Sequence, residues 1–253
     1  MVRALLVRGM LAGALAGLLA FAFAWLFGEP QVNLAIGFEE HMHQMAGEAP
    51  EPPLVSRAVQ STVGLLTGVV IYGSAIGGIF ALAFACVYGR LGQLDARATA
   101  ALLAAAGFVV LILTPQMKYP ANPPSIGEAE TIGLRTALYF TMIALSLIAA
   151  IAALSTGRQL ARRLGAWNSV LIGGAAYILV VAAAMMILPT LDEVPADFAA
   201  TVLWHFRLAS LGVETVLWAA LGLAFGILAE RHFAHRGMSS TPNRLSRGLA
   251  GRD

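Results

Sequence analysis

The sequence predicts an all-α integral membrane protein, a bundle of about six transmembrane helices with both termini in the cytoplasm. Its residues are 58% hydrophobic, the mean hydropathy is +0.77, and only 12% are charged. Soluble domains carry about 25% charged residues. Apolar runs recur along the chain, and the basic residues concentrate in alternate connections between them.

Six apolar runs reach or approach the length of about 20 residues that a membrane-spanning helix needs. They cover residues 9–28, 61–88, 99–115, 132–154, 169–188 and 203–229. The first run also resembles a signal peptide, with Ala22-Phe23-Ala24 as a cleavage site. Its length favours an uncleaved helix.

The orientation follows from the basic residues, because cytoplasmic loops are enriched in Arg and Lys. Twelve of the sixteen basic residues fall on one predicted side and ten of the fourteen acidic residues on the other. The basic side is predicted to be cytoplasmic. Residues 1–236 then form the transmembrane domain, and residues 237–253 are predicted to be a disordered cytoplasmic tail.

Several classes of function are disfavoured. Basic residues do not cluster on a polar domain, so no nucleic-acid partner is expected. The single lysine, Lys118, follows Met117 rather than a glycine, which excludes a Walker A nucleotide site. Cys86 is the only cysteine, so no internal disulfide forms. We expect it to be a small buried residue.

Residues 115–136 form a Pro-rich stretch between two apolar runs, and its prolines predict a non-helical segment. A weaker copy follows, since Pro189 and Pro195 lie 74 and 75 residues after Pro115 and Pro120. An outgoing helix, a Pro-containing loop and an Arg-headed incoming helix therefore occur twice.

Glycines recur four residues apart in three runs, a spacing that allows close helix packing in lipid. We expect this packing to be within one bundle. The pairs and triplets are Gly9, Gly13 and Gly17; Gly64 and Gly68; and Gly222 and Gly226.

The first outer segment offers imidazole, carboxylate and thioether groups, which suit a divalent or soft transition metal. In a helix, Glu39 and Glu40 would share a face with His43, and His41 would share one with Met45. In an extended segment, His41 and His43 would point the same way. A solvated acidic loop is the alternative.

Arg57, Arg135 and Arg207 head the three helices that run inward. A helix N-terminus is already electropositive, so an arginine there needs a partner. Ion pairs with outer-loop acids would form an outer gate, whereas arginines that snorkel to the interface would have no such role.

Glu214 lies near the middle of the sixth run. A charge at the bilayer centre costs about 2.5–3.5 kcal/mol, so the carboxyl should face the bundle interior. We favour a role in ion or proton passage over a structural hydrogen bond. Arg207, two turns earlier, is a candidate partner. Gln60 begins the second run and either lines a vestibule or bonds between helices.

Several segments together resemble the CbtA family of probable cobalt transporter subunits, over nearly the whole chain. They are Ser56-Arg57-Ala58-Val59-Gln60 with Gly64-Leu65-Leu66-Thr67-Gly68, Lys118-Tyr119-Pro120-Ala121-Asn122-Pro123-Pro124, Thr131-Ile132-Gly133 with Arg135-Thr136, and Val194-Pro195 with Asp197-Phe198 and Leu203-Trp204-His205-Phe206-Arg207. The resemblance implies cobalt(II) uptake together with a small single-span CbtB-like subunit. It also implies a histidine-bearing first outer loop, matched here by His41 and His43.

We therefore interpret the chain as a subunit of a cobalt importer in the bacterial cytoplasmic membrane, with no permanently bound cofactor. Tyr119 and Asn122 join the arginines in the predicted outer gate. A homo-oligomer is compatible with this interpretation. The alternatives are a non-transporting scaffold subunit and a membrane-embedded enzyme, although no H-E-x-x-H or G-x-S-x-G motif occurs.

Overall fold

A computed structural model of the chain describes residues 2–47, 54–90, 92–124, 126–235 and 237. Within these residues every regular element is helical, which confirms the all-α prediction. The helices are α1 Val2–Phe23, α2 Glu29–Ala46, α3 Arg57–Val59, α4 Leu65–Val87, α5 Ala96–Gly107, α6 Thr114–Lys118, α7 Ile132–Ile187 and α8 Ala200–His235. Three π-helical turns, Ala24–Gly28, Gln60–Gly64 and Phe108–Leu113, join consecutive helices, and a 3-10 turn at Ala129–Thr131 precedes α7.

Five continuous helical segments in the described residues are long and apolar enough to cross a membrane. They are Val2–Ala46, Arg57–Val87, Ala96–Lys118, Ile132–Ile187 and Ala200–Ala234. The predicted architecture, a multi-pass helical membrane protein, is confirmed. The predicted number of about six spans and the cytoplasmic side of both termini stay predictions.

The helix α7 is a hairpin of two arms. Its 56 residues would extend about 84 Å at 1.5 Å per residue, far beyond a hydrocarbon core of about 30 Å. Gly165 interrupts it with φ 78° and ψ 163°, a backbone that favours glycine. A Cβ atom on Gly173 would lie 3.1 Å from the Ala153 carbonyl oxygen, and one on Gly157 would lie 3.5 Å from that of Ser169. The arms therefore lie side by side and antiparallel, in the places of the predicted fourth and fifth runs.

The closest helix pair is α1 with α4, and it is formed by glycines. A side chain at Gly13 would collide with the Gly73 backbone, and one at Gly9 with the Gly77 backbone. Gly17 similarly approaches Val69. The expected close packing of the first run is therefore present.

The expectation that Gly64 and Gly68 allow close helix packing was wrong. The glycines of α4 that pack against another helix are Gly73 and Gly77, further toward its C-terminus. A Cβ atom on Gly68 would have no neighbour within 4 Å, and one on Gly64 would meet only its own helix, whereas Gly73 and Gly77 contact α1. The cause is helical phase, since α1 crosses α4 on the face that carries Gly73 and Gly77. In the last helix, Gly222 and Gly226 meet α5, as expected.

An aromatic core joins α4 and α8. Phe84 and Phe225 are fully buried, with ring centroids 5.0 Å apart, and Phe80 contacts both Phe225 and Trp218 edge-on. Cys86 does not belong to this core, because it is exposed on α4. The expectation that it is buried was wrong: the face that carries Phe80 and Phe84 turns inward, and position 86 falls opposite it.

The Pro-rich stretch is shorter than predicted. Pro115 lies inside α6, and helical structure resumes at Ala129, so the irregular part that the structure describes covers residues 119–124 and 126–128. Proline is accommodated at Pro115 because the preceding turn is π-helical and already departs from the ordinary i to i−4 hydrogen-bond ladder. The predicted disordered tail, residues 237–253, lies outside the described residues except for Gly237.

Candidate functional site

The first outer segment is helical rather than a loop. It forms α2, which continues α1 through the π-helical turn at Ala24–Gly28. His43 and Glu39 are half-buried one turn apart, whereas His41 and Met45 are exposed. Glu40 is exposed as well. In the described residues no three His, Cys, Asp or Glu side chains come together closely enough to hold a metal ion, so metal contact at α2 stays a prediction.

Arg57 and Gln60 lie beside α2. The Arg57 guanidinium pairs with the Glu29 carboxylate and donates from Nε to Asn33 Oδ1 over 3.0 Å. Gln60 donates to the Val55 carbonyl oxygen, 2.9 Å away, and is exposed. Arg57 thus ties the start of the second span to α2 by an ion pair.

Four of the predicted gate residues surround one cavity of about 940 Å³ at the end of the bundle that is predicted to face outward, and we call it the outer cavity. Tyr119 and Asn122 come from the irregular segment after α6, Arg135 from the first turn of α7, and Arg207 from the second turn of α8. Sequence reasoning placed these four in one gate, and the structure brings them together. Arg57, Gln60 and the α2 residues do not line this cavity.

The two outer connections hold each other through their arginines. Arg207 on α8 donates to the Ala121 carbonyl oxygen over 3.2 Å and to Asn122 Oδ1 over 2.9 Å. Arg135 on α7 reaches the opposite way, to Glu193. Each arginine therefore contacts the loop of the other helix–loop–helix unit, so the loops form one structure.

Tyr119 adds a further bond between the loops. Its hydroxyl donates to the Pro189 carbonyl oxygen over 2.8 Å. Burial raises the pKa of the Tyr119 phenol above its ordinary value, so the group stays a neutral donor. A small apolar cluster of Ala35, Ile126 and Phe198 closes the same end of the bundle, where α2 meets both loops.

Glu193 is the more buried of the two carboxylates that line this cavity. Its side chain is 10% exposed, and Arg135 Nε lies 3.2 Å from its Oε2 atom. The angle does not allow a hydrogen bond, and both carboxylate oxygens are buried without a hydrogen-bond donor in the described residues. A buried carboxylate with empty acceptor positions is costly, so it suits a site where a ligand supplies the donor.

Glu214 lies deeper, on α8, and does not pair with Arg207. Its carboxylate interacts electrostatically with the phenols of Tyr72 on α4 and Tyr139 on α7. The Trp218 indole N–H lies one turn along α8 and interacts with it. However, the geometry falls short of a normal hydrogen bond, because Glu214 Oε2 and Trp218 Nε1 are both buried without one.

Tyr139 lies between the outer cavity and the deeper Glu214. It lines the outer cavity together with Arg135, one helical turn earlier, and it lies within electrostatic range of Glu214. Sequence reasoning missed Tyr139 and offered Glu193 only as one of five outer-loop acids that could pair with the arginines. The spacing of four between Arg135 and Tyr139 was a usable signal, because it puts both side chains on one helix face.

A chain of buried hydroxyls was also missed. Ser146 Oγ donates to the Val110 carbonyl oxygen over 2.7 Å, and Tyr177 lies 2.8 Å from both Ser146 and Thr114. Each hydroxyl has one proton, so Thr114 donates to Tyr177 and Tyr177 donates to Ser146. Val110 belongs to the π-helical turn Phe108–Leu113. The chain therefore joins both arms of α7 to the span that precedes the outer cavity.

Comparison with known proteins gives one finding. The family model CbtA, described as probable cobalt transporter subunit, matches residues 2–230. No curated protein and no solved structure matches this chain significantly. The family match covers every membrane-length segment except the last few residues of α8, as well as the outer cavity and Glu214. This chain therefore belongs to the CbtA family of probable cobalt transporter subunits.

Proposed function

We propose that the chain is the membrane-spanning subunit of a cobalt(II) importer in the bacterial cytoplasmic membrane. The outer cavity receives the metal, and Glu214 accepts the cation or its counter-proton within the membrane. The observation that carries the proposal is the position of Tyr139, which lines the cavity and lies within electrostatic range of Glu214. In this proposal the metal passes from the cavity past Tyr139 toward the intramembrane carboxylate.

Glu214 suits this role because of where it is placed. It lies near the middle of α8, which covers Ala200–His235, and carboxylates at that depth are characteristic of ion and proton pathways. Two phenols lie within electrostatic range of it, and the Trp218 indole interacts with it. They offer polar contact without a fixed positive charge, so a cation is not repelled.

The proposed complex includes a small single-span CbtB-like subunit, which the word subunit in the family description supports. In this proposal α2 extends from the outer end of α1 and presents His41 and His43 as a first contact for the metal. The protein is not an enzyme in this proposal, and cobalt(II) is its cargo rather than a resident cofactor.

A second candidate function is a non-transporting scaffold subunit. It is favoured by the outer arginines, all of which have protein partners: Arg57 pairs with Glu29, Arg135 with Glu193, and Arg207 with Asn122. In a scaffold these contacts and Glu214 would only support folding.

The two candidates are separated by replacing Glu214. Cobalt(II) uptake by cells, normalised to the amount of protein in the membrane, is measured for Glu214→Gln and Glu214→Asp. A transporter should lose uptake in the Gln variant and retain part of it in the Asp variant, because only Asp keeps the charge. Thr215→Val is the matched control, since Thr215 is exposed and its hydroxyl bonds, among the described residues, to the Leu211 carbonyl oxygen of its own helix alone. Full uptake by Glu214→Gln would favour the scaffold.

A further inference from the structure

The outer cavity is larger than a metal ion requires. Its volume is about 940 Å³. An ion with six bound waters needs roughly 200 Å³, at about 30 Å³ per water. Pockets that bind small organic molecules measure about 300–1,000 Å³. The cavity therefore has the dimensions of a site for an organic molecule.

The charges that line the cavity do not suit a bare cation. Lys118, Arg135 and Arg207 outnumber the two acids, Asp192 and Glu193. The Lys118 ammonium group lies over the ring of Tyr119, 5.9 Å from its centroid, and makes no ion pair within the described residues. This ammonium group is available to an anion. A free divalent ion would be repelled, and no group of three metal-ligating side chains is present in the described part of the chain to replace its waters.

The cationic side chains favour an anionic ligand, whereas Glu193 requires that the same ligand donate a hydrogen bond. Its two oxygens are buried and accept no hydrogen bond from the described residues. A ligand that satisfies the site must therefore carry negative charge toward Lys118 and a strong hydrogen-bond donor toward Glu193. Phe140 and Phe206 provide apolar wall for a carbon skeleton. Water or hydroxyl bound to a metal ion is a strong donor, because the ion withdraws electrons from its oxygen.

We propose that the cavity binds cobalt(II) as an anionic complex with an organic polycarboxylate. The ligand carboxylates face Lys118, and a metal-bound water or hydroxyl donates to Glu193. This inference rests on the proposed import function and adds the substrate class, a metal chelate in place of the hydrated ion. Cobalt(II) citrate is a suitable probe, since three carboxylates outweigh the two charges of the ion.

Binding to the purified protein in lipid nanodiscs is measured by calorimetry with cobalt(II) citrate, cobalt(II) chloride and citrate alone. The complex should bind about tenfold more tightly than either component, a difference of about 1.4 kcal/mol. Lys118→Gln should weaken binding of the complex and of free citrate alike. Glu193→Gln should remove the preference for the complex over free citrate. Arg158→Gln, in the first arm of α7 seven residues before Gly165, is the control and should change neither.

Tighter binding of cobalt(II) chloride than of the complex would overturn the inference, as would equal binding in wild type and Lys118→Gln. Free citrate that binds as tightly as the complex would also overturn it. Lys118 is partly exposed and makes no ion pair in the described residues, so its variant should fold even where Glu193→Gln does not. Glu214→Gln separates this inference from the proposed function, because it should stop uptake while binding of the complex in that variant still weakens on Lys118→Gln. Wild-type protein that binds the complex without supporting uptake would contradict only the import function.

Discussion

Arg135 Nε lies 3.2 Å from Glu193 Oε2, and this contact joins two segments that sequence spacing had separated into two similar units. The return contact runs from Arg207 to Ala121 and Asn122. The two units are thus reciprocal, because the arginine of each incoming helix holds the loop of the other unit. A change in the conformation of one loop must therefore alter the contacts of the other.

The first prediction concerns this ion pair. Arg135→Gln should lower the free energy of unfolding by about 1.5–3 kcal/mol, because it leaves the Glu193 carboxylate buried beside no cation. Glu193→Gln added to it should recover part of that loss. The measurement is unfolding of the purified protein in detergent, analysed as a double-mutant cycle.

A matched control is available in the Arg97–Glu230 pair, 2.5 Å apart and much more exposed, at 59% and 39%. Arg97→Gln should cost at most about 1 kcal/mol, since solvent screens the pair. Equal losses at Arg97 and Arg135 would contradict the distinction drawn between the two pairs.

The second prediction concerns the contact of α1 with α4. Gly13→Val should destabilise the protein by at least about 1–3 kcal/mol, because its side chain would meet the Gly73 backbone, which cannot rotate away. Gly68→Ala is the control and should cause no loss, since a Cβ atom there would meet no described residue within 4 Å beyond its own stretch of helix. Thermal unfolding of the two variants in detergent measures the difference. Tolerance of valine at Gly13 would show that the helices are further apart than described.

Much of the fold was predictable, because membrane spans are encoded by length and apolarity alone. The face of each span that packs inward was less accessible. Gly64–Gly68 and Gly73–Gly77 have the same spacing in the sequence, and only the crossing point of α1 distinguishes them. The exposure of Cys86 was misjudged for the same reason, because in lipid an outward face is as apolar as an inward one.

The third prediction concerns the buried hydroxyl chain. Tyr177→Phe should cost about 0.6–1.7 kcal/mol, the range found for hydrogen bonds between transmembrane helices, because Ser146 and Thr114 both lose a partner. Ser155→Ala is the control, since the Ser155 hydroxyl is exposed and bonds only to Ala152 of its own helix. Both variants are compared by unfolding in detergent. An unchanged stability of Tyr177→Phe would show that the chain does not hold the hairpin.

The residues of the candidate site could be predicted from the sequence, but the contacts between them could not. Arg135, Arg207 and Asn122 stood out because charged and Pro-flanked residues are rare in this sequence. That Arg207 would bond to Asn122 rather than face Glu214 depends on how the loop after α6 turns back over α8. The π-helical turns that redirect Val110 and its neighbours have no reliable sequence pattern, so the hydroxyl chain could not be foreseen.

The last prediction concerns α2. The double variant His41→Ala with His43→Ala should reduce cobalt(II) uptake at low external metal and leave uptake at saturating metal unchanged. The reason is that imidazoles on an outer helix raise the local metal concentration without taking part in passage through the membrane. Uptake rates across a range of cobalt(II) concentrations measure this as a higher KM at constant maximal rate. Gln44→Ala, an exposed change on the same helix, should leave both quantities unchanged. An unaltered concentration dependence in the double variant would assign α2 a purely structural role, while a lower maximal rate would place the histidines in the passage itself.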